Sequence, residues 1–278
     1  DLLCHRNRNR NRNRKGKHVK ILNIADGGSK ASVALASGIL NQINVPVGTT
    51  KRTPQAIGKA FPRYTLEFLR KCFKRLDHIR PGEWTWSDSQ VKIGIAAFDQ
   101  YKHLDRLQKV LSDHPEIKAA LGGDYFITPD IVVARQAISD AEINSAEILV
   151  HPDSLAASLS PLRRSDKGSS ILHASISCKW TMRSDRAQNT RTEALNLIRN
   201  RKGKTPHIMV VTFEPLPNRL ASIAMGTGDV DCTYHVALHE LRHAAENSRF
   251  EDQADLLREL IEGRRLRDIS DLPLDLAT

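Results

Sequence analysis

Short apolar runs along the chain predict a set of buried β-strands. Residues 131–134, 171–180 and 207–212 combine β-branched and other apolar side chains, the pattern of strands packed in a sheet. Trp84 and Trp86 follow a Pro81-Gly82 turn and alternate with other positions, so another strand is predicted there.

Other segments repeat their apolar residues at helical spacing. Residues 61–76 and 101–111 each predict an amphipathic helix, and residues 185–199 predict another, with Asp185 as its N-cap and no proline or glycine. The strand, helix and strand of residues 171–212 predict an α/β fold with a mixed central sheet flanked by helices. Without internal repeats or a sharp linker, residues 21–278 are expected to form a single domain.

The start of the chain has a different composition. Arginine alternates with asparagine from Arg6 to Arg14, and such a segment buries too little apolar surface to offset its ordering entropy. We therefore expect residues 1–20 to be a disordered basic segment. The formal net charge of the chain is +10 and its pI is about 9.6, which suits a polyanionic partner such as DNA.

The cysteines and the hydropathy of the sequence indicate the cellular compartment of the protein. Four widely scattered cysteines show no disulfide framework and no CxxC pair, as expected in a reducing cytoplasm. The sequence has no apolar run long enough to span a bilayer, so no membrane association is expected.

The candidate chemistry lies at the ends of the predicted strands. Pro129-Asp130 precedes one strand, Ser177-Cys178-Lys179 ends another, and Glu193 lies on the helix that follows. This set resembles the active site of the PD-(D/E)XK nucleases, which implies their fold, DNA as substrate and Mg²⁺ as cofactor. Carboxylates suit Mg²⁺ as ligands, and an ammonium group can stabilise charge that develops on a phosphate.

One acid of that pattern is displaced. Many such nucleases carry an acidic residue two positions before the lysine, but Ser177 occupies that position here. A helix packed across the sheet could return Glu193 to the strand end that bears Lys179. We therefore expect Asp130 and Glu193 to be the metal-binding carboxylates.

Several longer blocks resemble the NgoMIV family of type II restriction endonucleases, beginning near Leu76. The blocks are GDYFITPDIVVAR (123–135), DAEIN (140–144), LHASISCKWTMRSDRAQNTRTE (172–193), ALNLIRNRKGK (194–204), GTGDVDCTYHVAL (226–238) and RLRDISDLPLDLA (265–277). The resemblance implies hydrolysis of both strands of a CCGG-containing palindrome, GCCGGC as the expected target, with 5′-phosphate ends. It also implies a homodimer that assembles into a homotetramer, and a companion methyltransferase in the host.

The resemblance assigns roles to individual residues. Asp130, Ser177, Lys179 and Glu193 are the expected catalytic residues, and the metal ligands are Asp130, Glu193 and the backbone carbonyl of Cys178. Arg183, Asp185 and Arg186 are expected to read the core bases. Arginine can pair bidentately with guanine, and aspartate can accept from cytosine N4.

One departure raises an alternative. The family places a further glutamate in an early helix after an Ala-Phe pair, but here Ala60-Phe61 is followed by Pro62. Either Glu67 substitutes for it or a second metal site is weakened. A sequence-specific DNA-binding relative with impaired catalysis is therefore the alternative function.

A different enzyme class is raised by His239-Glu240-Leu241-Arg242-His243, which fits the HExxH pattern of zinc metalloproteases. Glu246, Glu259 and Glu262 are available as a third ligand, but none stands in a recognisable pattern. We expect this segment to be a surface helix.

Overall fold

The structure of the chain is a computed structural model. It describes residues 2–7, 20–48, 53–88, 93–121, 127–151, 153–163, 169–226 and 228–278. It divides into two compact units. The first unit comprises Asp1–Thr65, Cys178–Arg191 and Met209–Pro273, and the second comprises Leu66–Ser177, Thr192–Ile208 and Leu274–Thr278. The prediction of a single domain over residues 21–278 stays a prediction.

The described residues form both strands and α-helices. The strands are β1 (His5–Asn7), β2 (Lys20–Leu22), β3 (Trp84–Asp88), β4 (Ile131–Arg135), β5 (Ile171–Lys179), β6 (His207–Thr212), β7 (Cys232–His235) and β8 (Leu266–Asp268). The helices are α1 (Lys30–Ile43), α2 (Pro54–Phe73), α3 (Lys102–Asp113), α4 (Pro115–Leu121), α5 (Asp140–Ile143), α6 (Ser184–Asn200), α7 (Pro217–Ala224), α8 (Leu238–Glu246), α9 (Glu251–Glu262) and α10 (Leu272–Asp275).

A six-stranded sheet has the order β3-β4-β5-β6-β7-β8. Strands β3, β4 and β5 pair antiparallel, whereas β6, β7 and β8 pair parallel. The sheet is therefore mixed, and with the surrounding helices it confirms the predicted α/β class. Five of the six residues of β6 are buried, as expected for a strand covered on both faces.

Helices α1, α7, α8 and α9 build the core of the first unit around apolar side chains such as Leu35, Leu220, Leu241 and Leu257. Helices α1 and α8 approach closely at Gly38. A Cβ atom at that position would lie 2.5 Å from the Cβ of Ala244, so only glycine permits this packing.

The core of the second unit lies on the antiparallel strands. Ile131, Leu172 and Ile176 are fully buried there, together with Leu69 of α2 and Tyr101. The Tyr101 hydroxyl donates to the carbonyl of Leu197 at 2.9 Å, which satisfies its polar group within the core.

Strands β3 to β6 and helices α3 and α6 confirm the predicted elements, with small differences at their ends. Helix α2 was predicted only within residues 61–76, but it begins at Pro54 and continues through Pro62. A proline ring in a helix crowds the carbonyl four residues earlier, here that of Gly58, and removes one backbone hydrogen bond, so the helix contains Pro62 at a local energetic cost. Asp185 was predicted as the N-cap of α6, but the helix begins at Ser184 and Asp185 lies in its first turn.

Only part of the predicted disordered segment can be compared. Residues 5–7 form β1, which pairs with β2, and Cys4 is buried. Most of the arginine-asparagine tract lies outside the described residues, so disorder of residues 1–20 stays a prediction.

Candidate active site

Asp130 and Ser177 lie across from each other at one end of a strand pair. Ile131, the first residue of β4, pairs with Ile176 of β5 in antiparallel register. Asp130 directly precedes Ile131 and Ser177 directly follows Ile176, so the register brings these two residues together in the second unit. Both are half-buried.

Side chains at the end of β5 alternate between the two faces of the sheet. Ser177 and Lys179 are half-buried, while Cys178 between them is buried. Since neighbouring side chains in a strand point to opposite faces, Cys178 points away from the face that carries Ser177 and Lys179. This arrangement agrees with a role for the Cys178 carbonyl and not for its thiol.

The Ser177 hydroxyl fits a site for a hydrated cation. Its Oγ is buried and has no hydrogen-bond partner among the described residues. Buried hydroxyl groups are normally satisfied, so a partner such as a cation-bound water suits this position. The carboxylate of Asp130 at the same strand end has the hard oxygen atoms that Mg²⁺ prefers as ligands.

Glu193 lies near the middle of α6, where its side chain is half-buried. Ala187, Ala194 and Leu197 of the predicted apolar stripe are buried, so the helix packs through the face that was expected. Glu193, Asp130 and Ser177 belong to the second unit, whereas Cys178, Lys179, Arg183, Asp185 and Arg186 belong to the first. Convergence of Asp130, Lys179 and Glu193 on one metal ion stays a prediction.

The segment after Lys179 is held firmly within the first unit. Trp180 packs edge-on against Phe61 and against Phe213, each with ring centroids 5.2 Å apart. Met182 is fully buried, and its backbone N–H donates to Oε2 of Glu214 at 2.8 Å. The segment therefore enters α6 in a defined conformation.

The predicted base-reading side chains lie at the start of α6. Arg183 and Asp185 are exposed, and Arg186 is half-buried. Nη1 of Arg186 donates to the carbonyl of Thr181 at 3.1 Å. These positions leave charged groups available at a surface next to the Lys179 segment.

A polar pocket of about 190 Å³ adjoins Arg183. It is lined by Asn23, Ile24, Ala25, Asp26, Thr181, Arg183 and Arg219. Asp26 and Arg219 form an ion pair at its wall. Sequence reasoning missed both residues, and no local motif marks either of them because 193 positions separate them along the chain.

Glu214 is another residue that sequence reasoning missed. Its side chain is fully buried, and Oε1 accepts from the backbone N–H of Leu216 at 3.2 Å. Burial raises the pKa of this carboxyl to about 7, against the N–H of Met182 and the guanidinium of Arg219, which both act to lower it. A buried acid that ionises near neutrality is characteristic of a functional region, although structural networks also produce such shifts.

The region of Pro62 and Glu67 bears on the expected departure from the family. Phe61 is buried against Trp180, so helix α2 keeps its packing despite the proline that follows. Glu67 is exposed and accepts from Nζ of Lys71 at 2.7 Å. Substitution by Glu67 at a metal site stays a prediction.

The HELRH segment forms helix α8. Its two imidazoles, on His239 and His243, are exposed, and Glu246 pairs with Nε of Arg242 at 2.8 Å. Over the described ranges, no group of three or more His, Cys, Asp and Glu side chains could hold a metal ion. This geometry gives no support to the zinc-protease interpretation.

None of the helices in the described part of the chain is both long and apolar enough to cross a membrane.

Comparison with known proteins defines the class. The Type II restriction enzyme NgoMIV of Neisseria gonorrhoeae is 49% identical over 259 residues, which cover 92% of this chain and 90% of that enzyme. With the mixed α/β sheet, this similarity makes the chain a type II restriction endonuclease, an enzyme that binds and cleaves double-stranded DNA.

A sequence profile described as NgoMIV restriction enzyme matches residues 4–278, and the chain belongs to this family. The match begins well before Leu76, where the resemblance seen in the sequence begins. The family relationship therefore also covers α1, β2 and the segment that carries Asp26.

Proposed function

We propose that this enzyme hydrolyses both strands of a palindromic DNA site containing CCGG, with GCCGGC as the target, and leaves 5′-phosphate ends. The observation that carries the proposed hydrolysis is the register of β4 and β5, which brings Asp130 beside Ser177 on the strand that continues into Lys179, whereas the target and the ends follow from the resemblance to the NgoMIV family. The chain's similarity to NgoMIV supports the same reaction class.

Mg²⁺ is the proposed cofactor. Asp130, Glu193 and the Cys178 carbonyl would hold it, and the unsatisfied Ser177 hydroxyl would bind water in its shell. The bound ion would lower the pKa of the attacking water and polarise the phosphoryl oxygen. Only two carboxylates are required, because Mg²⁺ retains several waters.

Lys179 is the proposed electrostatic catalyst. Its ammonium group, on the same face of β5 as Ser177, would stabilise negative charge developing on the phosphate and orient the attacking water. The short segment from Trp180 to Met182 then connects this residue to the DNA-reading side chains.

Arg183, Asp185 and Arg186 are proposed to read the core bases in the major groove. The arginines can pair with O6 and N7 of guanine, and Asp185 can accept from N4 of cytosine. The exposure of Arg183 and Asp185 supports this assignment. Because Arg186 donates to Thr181 through one nitrogen only, its guanidinium retains the geometry for a further bidentate contact.

Self-association is the proposed mode of assembly. A two-fold symmetric DNA site calls for a two-fold symmetric dimer, and two dimers would form the tetramer. The second unit exposes large aliphatic side chains after α5, among them Leu155 at 89% and Leu159 at 96%. Such a patch is costly on a monomer and supports a contact with further copies of the chain.

The patch is presented by an anchored segment. Arg163 holds the carboxylate of Asp140 through two hydrogen bonds of 2.7 Å, and Nη1 of Arg163 also donates to the carbonyl of Ala156 at 2.7 Å. The hydrogen bonds with Arg163 lower the pKa of Asp140. Because these hydrogen bonds fix the segment that carries Leu155 and Leu159, they favour a specific contact between copies of the chain.

A host methyltransferase with the same target is the proposed functional partner, acting in the cytoplasm where the host DNA lies. Methylation would protect host copies of the target from cleavage.

The proposal is tested with a plasmid that carries one GCCGGC site and a matched plasmid with one core base changed. We expect cleavage of the first plasmid alone, in Mg²⁺ and not in Ca²⁺, and sequencing of the ends should give the position of the cut and the 5′-phosphate. Binding to the site without cleavage in Mg²⁺ would instead support the catalytically impaired alternative that Pro62 raises. Equal cleavage of both plasmids would contradict the proposed target.

A further inference from the structure

One peptide group connects a buried acid to a predicted base-reading arginine. Between Thr181 and Met182, the N–H donates to Oε2 of Glu214 at 2.8 Å, and the C=O accepts from Nη1 of Arg186 at 3.1 Å. All four residues belong to the first unit. Because the peptide group is planar, fixing the direction of its N–H also fixes the direction of its C=O.

We propose that Glu214 is a positioning residue for base recognition, which holds the Thr181–Met182 peptide group and through it the guanidinium of Arg186. This inference rests on the proposed role of Arg186 in reading the core of the target. Glu214 does not contact DNA in this arrangement, since its side chain is fully buried.

The hydrogen bonds around Glu214 show why the carboxylate suits this task. Oε2 serves Met182 and Oε1 serves Leu216, so each oxygen holds a different segment of backbone. One segment leads from Lys179 into α6, and the other leads from β6 into α7. A single side chain thereby fixes the separation of these two segments.

Glu214 also lies close to Arg219. Nη1 of Arg219 lies 3.9 Å from Oε2 of Glu214, while Nη2 of the same side chain pairs with Asp26 at the pocket wall. The carboxylate therefore stabilises Arg219 directly and Arg186 through a peptide group. His235 approaches from β7, but its Nε2 lies 3.1 Å from the backbone carbonyl of Glu214 and not from the carboxylate.

The energetic cost of this arrangement supports a role beyond packing. A carboxylate loses hydration when it is buried, and this loss is destabilising unless hydrogen bonds and opposite charges compensate for it. Holding two backbone N–H groups and a guanidinium is a reason to keep the acid at this position.

The test compares Glu214→Ala, which removes both acceptors, with Glu214→Gln, which keeps one oxygen for Met182. Cleavage rates are measured on GCCGGC and on the site with one changed core base, after both substrates have been tested with the unsubstituted enzyme. We expect Glu214→Ala to reduce the ratio of the two rates about tenfold, within the range of about 5- to 150-fold for a bidentate base contact. Glu214→Gln should retain most of the ratio.

Coupling to Arg186 separates positioning from general stability. In an Arg186→Ala background, Glu214→Ala should have little further effect on the ratio, because the guanidinium that it positions is absent. Full additivity of the two losses would overturn the proposal, and so would an unchanged ratio in Glu214→Ala. Glu214→Leu keeps more of the side-chain volume and takes the place of the alanine variant if the latter does not fold.

Asp268→Ala supplies a matched control. This carboxylate of the same unit is also buried and accepts from the backbone N–H of Leu238, at 3.0 Å, instead of from Met182. The Asp268→Ala substitution should lower the melting temperature but leave the ratio of cleavage rates unchanged. If Asp268→Ala reduced this ratio as much as Glu214→Ala, a specific role for Glu214 would be overturned. Failure of the unsubstituted enzyme to distinguish the two substrates would instead contradict the proposed function.

Discussion

His235 should make the stability of this enzyme depend on pH in the acid range. The imidazole is fully buried on β7, where its Nδ1 accepts from the N–H of Ala237 and its Nε2 lies near the carbonyl of Glu214, each at 3.1 Å. Because Nδ1 accepts, Nε2 carries the proton of the neutral ring and donates to the carbonyl. A second proton would have to be placed on Nδ1, against the N–H of Ala237.

The magnitude follows from the two protonation states. Burial lowers the pKa of His235 from 6.5 to about 4 in the folded protein. Between these values the unfolded chain binds more protons, so the stability from the neutral ring is fully present above pH 6.5 and is lost as the pH falls toward 4. Acidification from pH 7 to pH 5 should therefore cost about 2 kcal/mol of unfolding free energy through this residue.

His173 provides the matched comparison in the second unit. It is also buried, and burial lowers its pKa to about 4, so it should contribute a similar loss. His235→Gln and His173→Gln should each remove about half of the loss between pH 7 and pH 5 that these two histidines cause together. The double variant should remove nearly all of it.

Urea unfolding at pH 7, 6 and 5 measures these differences, with each variant compared against itself at pH 7. Tryptophan fluorescence reports on both regions, since Trp84 packs on His173 and Trp180 packs on Phe213, which contacts His235. If His235→Gln lost as much stability on acidification as the unsubstituted protein, the assignment of a buried neutral imidazole would be refuted.

Further predictions concern catalysis, recognition and assembly. Lys179→Ala should abolish cleavage in Mg²⁺ but retain site-specific binding in Ca²⁺, measured by gel shift, and normal turnover would remove Lys179 from the catalytic residues. Arg186→Ala should reduce discrimination at a core guanine by about 1–3 kcal/mol in competitive binding, and unchanged discrimination would contradict a reading role. Leu155→Asp should reduce the mass seen in sedimentation without unfolding the chain, while the same change at Leu274, 56% exposed near the C-terminus, serves as control. Identical masses for the Leu155 variant and the unsubstituted protein would contradict the proposed contact.

The main elements of the sheet could be predicted because their apolar patterns are strong and local. Strand β6 was predicted with the bounds that the structure has, and α6 differs by about one residue at each end. The start of α2 could not be predicted in the same way, because a proline inside a helix is locally unfavourable and Pro62 therefore argues against extending the helix back to Pro54. Local propensity and tertiary packing disagree there, and the burial of Phe61 decides the outcome.

Some residues of the candidate site could also be named from the sequence, whereas others could not. Asp130, Lys179 and Glu193 were proposed from the sequence because metal-assisted phosphodiester cleavage demands particular residue types beside recognisable strands, and their catalytic roles stay predictions. Glu214 could not be named, because a buried glutamate has no sequence signal until the fold brings Met182 to it. Residues proposed to contact the substrate are therefore easier to name from a sequence than residues proposed to position them.

A disturbance of the proposed base-reading residues should reach the proposed catalytic lysine, because one short segment connects them. Only Trp180, Thr181 and Met182 lie between Lys179 and Arg183. Two of these three are fixed, Trp180 between aromatic rings and Met182 by Glu214, so a displacement of the arginines cannot be absorbed in the connection. We therefore expect a wrong base at the core to slow cleavage more than it weakens binding, because the displacement would reach Lys179, the proposed electrostatic catalyst.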